Sequence, residues 1–291
     1  MIDICTTSDT NYLIKGLTLY ESLLIFTKNF RLHYLCIDEL SYNKLIQYSS
    51  DTLIVYNIHN LLVNDSKLEL LKNTDYRYFC WSLASYFTNY LMKNKIVDEI
   101  TYIDSDILFY DDLRVILNAI DFKEVGLFRH RQFDLTSNRP EGWFNVGVLH
   151  FKRGDVGQDL LNWWADAVLN QKYPHLATCG DQKYLDQLLS MVPEDTIFID
   201  GNIGHGAPWL WQLYDLSTYV NDGCITWGDK KQKLVFTHFS QFVMCDVTYI
   251  PSTQHHIYTP IANYNTVFGL KIIYDDYYNR LIKIKLKYNI V

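Results

Sequence analysis

Glycine is missing from the whole stretch between Gly16 and Gly126. Glycine-rich phosphate cradles need it, so the N-terminal half holds neither a P-loop nor a dinucleotide-binding GxGxxG. If that half binds a diphosphate, something other than a glycine loop must meet the charge. The six cysteines (Cys5, Cys36, Cys80, Cys179, Cys224, Cys245) are widely spaced, with no CxxC and no zinc-like pairing. Several sit in apolar runs and read as reduced core residues. Uninterrupted apolar runs fall short of the roughly 18 residues of a membrane span. The N-terminus MIDICTTSDT has no basic region followed by an apolar stretch. The expectation is a soluble protein in a reducing compartment, cytoplasmic and at most peripheral to a membrane, in which the Asn64, Asp65, Ser66 sequon is a loop. A basic excess is also lacking: the formal charge is −7. Binding to nucleic-acid backbone rests on Lys and Arg neutralising phosphates, so no nucleic-acid partner is expected, and an anionic substrate would need a metal or a local basic cluster.

With 48% hydrophobic residues in 291, the chain can fill one large core or two small ones, and one compact unit is the economical reading. Ile2 to Thr6 reads as a buried strand, and Asn11 to Phe26 as a helix with apolar positions Leu13, Leu17, Tyr20 and Leu24. Arg31 to Ile37 and Leu53 to Tyr56 are strands on either side of a helical stretch from Leu40 to Tyr48. This is the order of parallel strands with crossover helices. An aromatic helix from Tyr76 to Met92 leads into a further strand. Beyond residue 110 the pattern changes to strands at Val125 to Arg129 and Phe144 to Phe151, then helices at Val156 to Leu169 and Asp181 to Met191. No linker cuts the chain. It reads as one domain over 1–291, with a nucleotide-facing half of about 1–110, an acceptor-facing half of about 111–250 and a tail of about 251–291. Lys283, Lys285 and Lys287 alternate with apolar residues from Leu281 to Tyr288, the pattern of a packed strand or an amphipathic tail. Weak membrane-surface contact is the other reading of that segment.

The chemistry starts at YIDSDILFY, Tyr102 to Tyr110, which carries the one DxD of the chain. Ile100 to Ile103 favour a strand, so Asp104 and Asp106 emerge where a buried strand ends, the edge at which open α/β sheets bind ligands. Two carboxylates one residue apart give a hard divalent cation oxygen ligands, the remaining positions going to substrate phosphates. A solvated turn after a strand is the alternative. The absence of glycine between Gly16 and Gly126 favours the metal, which would have to neutralise most of the charge of a diphosphate bound there. The same absence argues against a sugar nucleotidylyltransferase, which opens with a glycine-rich loop after its first strand. DSDIL also lacks the hydroxyl or Val that a haloacid-dehalogenase-type phosphatase carries two positions past its second aspartate.

Four further segments then resemble the nucleotide-diphospho-sugar glycosyltransferases of GT-A fold, relatives of glycosyltransferase family eight. They are CTTSDTNY (Cys5 to Tyr12), FNVGVLHFKR (Phe144 to Arg153), GDQKYLD (Gly180 to Asp186), and HGAPW with FTHFS (His205 to Trp209, Phe236 to Ser240). The resemblance spans roughly residues 1–245 and extends to a subgroup of largely uncharacterised transferases in which YNVG, LNWW, GDQKYLD and APW recur in that order. It implies an α/β fold of the GT-A type, a Rossmann-like, mostly parallel central sheet with flanking helices and a short antiparallel addition.

The resemblance also implies roles. Thr6, Thr7 and Tyr12 become candidates for base and ribose contacts, although Ser8 or Asp9 there also suits a helix N-cap. Asp104 or Ser105 would meet the ribose. Asp104, Asp106 and His238 would hold the ion, and an imidazole beside carboxylates suits manganese better than magnesium, with magnesium the other candidate. Asn145, Asp181 and Gln182 map onto positions lining the donor-sugar pocket, with Asp181 or Gln182 at the reacting face; the bland alternative for Asp181 is a helix cap. Asp186 is expected to face solvent. Family sequences often follow the histidine with glycine and a basic residue, where this chain has Ser240, Gln241 and Phe242, which puts phosphate contacts from that loop in doubt. Arg129, His130 and Arg131 could meet phosphate or form a solvated turn. Trp209 and Trp211 form either an aromatic wall against a sugar or core anchors, and Gly201 to Trp211 is a candidate lid. The implied activity is hexosyl transfer from a nucleotide-diphosphate donor, a UDP-sugar, to a glycan, lipid-linked or protein acceptor, with retention. The rivals are a non-catalytic carbohydrate- or nucleotide-binding protein of the same fold and a nucleotidylyltransferase.

Overall fold

A computed structural model describes residues 1–131, 139–252 and 269–290. The chain opens with β1 (Ile2–Ser8), α1 (Leu13–Phe26), β2 (Phe30–Cys36), α2 (Glu39–Leu45), β3 (Leu53–Asn57), α3 (His59–Leu62), α4 (Ser66–Thr74) and α5 (Tyr76–Lys93). It continues through β4 (Glu99–Ile103), β5 (Ile107–Phe109), α6 (Arg114–Ile120), β6 (Val125–Arg129), β7 (Phe144–Lys152), α7 (Gly157–Leu169) and α8 (Leu188–Met191). Then follow β8 (Ile197–Ile199), β9 (His205–Gly206), α9 (Tyr219–Asp222), β10 (Cys224–Trp227), β11 (Lys230–Lys233), β12 (Phe236–His238), β13 (Val243–Met244), β14 (Tyr249–Ile250) and α10 (Leu270–Lys287). The fold divides into two compact units, Met1–Leu13 with Asn29–Asp104 and Ala119–Gly201, and Ile14–Lys28 with Ser105–Asn118 and Asn202–Val291.

The first unit is built on a seven-stranded sheet in the order β3-β2-β1-β4-β7-β6-β8. β1 pairs in parallel with β2 and β4, and β2 with β3. β7 enters antiparallel to both β4 and β6, and β8 returns parallel to β6. This is the mostly parallel sheet with an antiparallel addition that the resemblance implies. Ile4, Cys5 and Thr6 are all buried, as expected of a parallel strand covered on both faces. α5 starts on an Asp75 cap, whose carboxylate accepts the Tyr78 N–H. It buries Phe79, Leu83, Phe87 and Leu91, and its Ser82, Ser85 and Thr88 hydroxyls donate back to helix carbonyls, so the polar groups on the buried faces are satisfied. α7 packs the Trp164 ring flat against Phe151 of β7 at 5.9 Å. Its N-terminus is closed by Glu124, which accepts the N–H groups of Asp155, Val156 and Gly157.

The helix expected from Asp181 to Met191 is instead a 3₁₀ segment, Gln182–Gln187, followed by α8. Tyr184, Leu185 and Asp186 are consecutive and all buried, which a single α-helical stripe does not accommodate. Asp186 is thus not a solvent-facing residue: its Oδ1 accepts the Trp143 N–H at 2.8 Å. The triplet Arg129 to Arg131 is not a solvated turn either, because the Arg131 guanidinium forms an ion pair with Asp200 in which both side chains are fully buried.

The second unit carries a three-stranded sheet, β5-β12-β9. α1 was expected to turn Leu24 inward, but Leu24 is 44% exposed, and Leu19, Ser22 and Leu23 are buried instead. The Gly201 to Trp211 segment, the candidate lid, is packed into this unit from Ile203 onward. Ile203 to Trp211 is continuously buried, and Trp209 and Trp211 are core anchors of a cluster with Phe239, Phe242, Tyr274 and Tyr277. Its glycines permit close packing: a Cβ on Gly204 would lie 1.9 Å from the Lys233 carbonyl oxygen, and one on Gly206 would lie 2.0 Å from the Trp211 ring. The lysine-alternating C-terminal segment is not a strand but the end of α10, an amphipathic helix. Leu281, Ile284 and Tyr288 recur at i, i+3 and i+7 and are buried, which leaves Lys283, Lys285 and Lys287 outside. Residues 253–268 and 291 of the expected tail lie outside the described residues. Among the described residues no helix is long and apolar enough to cross a membrane.

Candidate metal and donor site

In the first unit, β1 and β4 run parallel with Cys5 level with Tyr102. Two residues further on, Thr7 and Asp104 therefore reach the same carboxyl edge of the sheet. Thr6 is buried and its Oγ1 has no hydrogen-bond partner, while Tyr12 stands half-buried in the turn that Asp9 closes by accepting the Tyr12 N–H at 3.0 Å. Asp9, not Ser8, therefore makes the N-terminal turn of α1; Ser8 Oγ instead pairs with the Tyr34 hydroxyl at 2.6 Å.

Asp104 is held from two sides. Its backbone N–H donates to the Gly147 carbonyl at 2.9 Å, continuing the β4–β7 ladder by one residue, and its Oδ1 accepts the hydroxyl of buried Tyr102 at 2.8 Å. Asn145, on β7, accepts the Gly147 N–H on Oδ1 at 2.8 Å and donates from Nδ2 to Gln182 Oε1 at 3.0 Å. Gln182 Nε2 in turn donates to the Glu141 carbonyl at 2.7 Å.

Asp181 sits at the start of the 3₁₀ segment, but its side chain caps nothing. The carboxyl is 5% exposed and its Oδ2 has no hydrogen-bond partner. Burial, and then the charge of Asp104, push its pKa well above the usual carboxylate range. Its backbone is pinned, because the Trp164 indole donates to the Asp181 carbonyl at 3.0 Å. Gly180 before it adopts φ +69° and lies under Trp81, whose ring a Cβ would meet at 2.7 Å. A tryptophan of α5 thus makes the close approach at Gly180.

In the second unit, β5 and β12 are antiparallel with Ile107 opposite His238, and the Asp106 carbonyl accepts the Phe239 N–H at 2.9 Å. This register brings His238 Nε2 to 3.1 Å from Asp106 Oδ1, with 8% and 10% of the two side chains exposed. Burial works against the Asp106 carboxylate, but His238 and the Lys15 ammonium outweigh it and hold its pKa below the ordinary value. The Trp209 ring meets His238 edge-on at 5.4 Å. Ser105 is buried, 7% exposed.

The boundary of the two units falls at the Asp104–Ser105 peptide bond, so the chain itself keeps Asp104 one residue from Asp106. Asp104, Asp106 and His238 each offer one ligand atom, and these atoms lie within 4.8 Å of one another. Two carboxylate oxygens and an imidazole nitrogen fit a divalent first-row ion, leaving coordination positions for other ligands.

Sequence reasoning missed Tyr102 as the group that holds Asp104, Trp164 as the anchor of Asp181, and Lys15. Lys15 was legible in principle, since it shares a face with Leu19 and Ser22 at i, i+4 and i+7.

No family model matches the chain. Two uncharacterised proteins of Bacillus subtilis strain 168 are similar to it. YfnF is 28% identical over 261 residues, 84% of this chain and 83% of that protein. YfnD is 21% identical over 242 residues, 80% of this chain and 75% of that protein. Among solved structures, mouse xyloside xylosyltransferase 1 in its apo form superposes with a TM-score of 0.50 at 17% identity, over 81% of this chain and 97% of that one. An active-site mutant of LgtC gives a TM-score of 0.50 at 13% identity, over 81% of this chain and 86% of that one. At such identities the likeness concerns the fold, which is the GT-A fold of these transferases.

Proposed function

We propose that the chain is a metal-dependent glycosyltransferase that moves a hexosyl group from a UDP-sugar to a saccharide, lipid-linked or protein acceptor. The observation that carries this reading is the Asp104, Asp106 and His238 cluster, set where the DxD leaves the carboxyl edge of a GT-A sheet. The xylosyltransferase activity named for one structural neighbour supports the reaction class.

Asp104, Asp106 and His238 would hold Mn2+ in preference to Mg2+, because an imidazole is among the donors. Bound there, the ion would act as a Lewis acid for the negative charge that builds on the departing diphosphate, a contribution of several kcal/mol. Thr6, Thr7 and Tyr12 would take the base and ribose at the end of β1, with Asp104 or Ser105 on the ribose hydroxyls. Asn145, Asp181 and Gln182 would face the donor sugar. The unpartnered Asp181 Oδ2 is a buried acceptor suited to a sugar hydroxyl, and a donor lacking that hydroxyl would leave it unsatisfied. For retention, the bond from the anomeric carbon to phosphate breaks, the bond to the acceptor oxygen forms on the same face, and the leaving phosphate takes the acceptor's proton.

The test is incubation with a panel of UDP-sugars and Mn2+, reading UDP release and the anomeric configuration of the product by NMR. Release that Asp106→Ala abolishes supports the assignment. Release that Asp106→Ala leaves unchanged rejects the metal site.

A further inference from the structure

An ion held by two carboxylates and an imidazole is nearly neutralised by its ligands, so a bound diphosphate needs a further cation. The strand end that supplies His238 offers none: Phe239 to Ser252 contains no Lys or Arg. Among the described residues, Lys15 is the only lysine or arginine of this unit that is buried, at 7% exposed. Lysines are rarely buried so far without a charge partner.

The packing of α1 on β5 explains where Lys15 stands. The Phe109 N–H donates to Ser22 Oγ at 3.2 Å and the Leu113 N–H to Thr27 Oγ1 at 3.1 Å, so helix and strand advance in the same direction. Seven residues back along α1 from Ser22 is Lys15, about 10 Å at 1.5 Å per residue. Three residues back along the extended chain from Phe109 is Asp106, again about 10 Å at roughly 3.3 Å per residue. The two residues therefore stand at about the same level of the α1–β5 packing.

Resting on the donor-site reading above, we infer that Lys15 is the phosphate-binding cation of this protein, gripping the diphosphate of the donor beside the ion held at Asp106. An ammonium on a four-carbon stem binds phosphate as a point charge without a glycine loop, and the stretch between Gly16 and Gly126 offers no glycine loop.

The experiment is calorimetric titration of the full chain in Mn2+ with UDP and UMP, and with GDP and GMP, for wild type and Lys15→Met. The inference predicts that the preference for diphosphate over monophosphate falls about tenfold or more in the variant, while Mn2+ affinity is kept. Lys15→Gln carries the same comparison if the methionine variant does not fold. An unchanged diphosphate preference overturns the inference and leaves the donor site standing. An equal loss for Mn2+, monophosphate and diphosphate also overturns it, since Lys15 would then serve only to position Asp106. If wild type binds none of these nucleotides, the donor-site reading fails and the inference with it.

Discussion

Asn145 donates its side-chain amide to Gln182 Oε1 across 3.0 Å while its own Oδ1 accepts the Gly147 N–H. The backbone N–H can only donate, so it sets which way the Asn145 amide faces, and Asn145 in turn sets the Gln182 amide, whose nitrogen goes to the Glu141 carbonyl. The Gln182 amide is therefore an oriented dipole and not a free rotor. Asn145→Asp would set a carboxylate against the Gln182 oxygen and force the amide to turn. We expect kcat to fall about tenfold or more with Mn2+ affinity unchanged, measured by steady-state kinetics beside metal titration. An unchanged kcat would remove Asn145 from the site.

The metal cluster makes a separate claim. His238→Ala removes the one nitrogen ligand, and its loss should weaken Mn2+ more than Mg2+, because only the former has a marked preference for imidazole. Titration of each ion into wild type and variant reads the difference. Equal weakening of both ions would mean that His238 acts only as the ion-pair partner of Asp106.

Arg131 and Asp200 form a buried pair, both side chains being fully inaccessible. Removing one partner leaves a buried charge uncompensated, so Asp200→Ala should cost about 3–5 kcal/mol of stability, measured by urea unfolding. Replacing both by apolar residues, Arg131→Met with Asp200→Leu, should recover most of that loss. Failure to recover would show that the pair does more than neutralise itself.

Burial raises the pKa of Asp186 from 3.8 to about 6, against the Trp143 N–H that favours its ionised form. With the folded value above the unfolded one, the stability this group contributes is fully present below about pH 3.8 and is lost as pH rises through about 6. Asp186→Asn should remove that slope, so the wild type should lose stability relative to the variant between pH 4 and pH 6. Denaturant unfolding across that range checks it. A gain of wild type over variant with rising pH would reverse the sign.

Much of the sheet was legible because buried strands are rich in β-favouring and apolar residues, as in Ile2 to Thr6 and Ile100 to Ile103. The DxD was legible as a carboxylate pair at the end of such a run, whereas His238 was named through the resemblance alone, because the β5–β12 register that brings it to Asp106 is a long-range pairing that local sequence does not encode. Helix faces were less legible. Leu24 and Leu23 differ only by which side of α1 meets a neighbour, and Lys283 to Lys287 fits a period of two as readily as the outside of α10. Burial of polar groups was least legible. Asp186, Arg131 and Lys15 look like surface residues by type, and only their tertiary partners explain why they lie inside.

The measurement that bears most directly on the account is a thermal-shift titration with UDP and UDP-sugars, in Mn2+ and in chelator. A ligand that binds the native state raises its melting temperature by mass action. The account predicts that UDP stabilises the protein in Mn2+ and that chelator or Asp106→Ala abolishes the shift. Stabilisation by UDP that survives both treatments, or no stabilisation by any of these nucleotides, would contradict it.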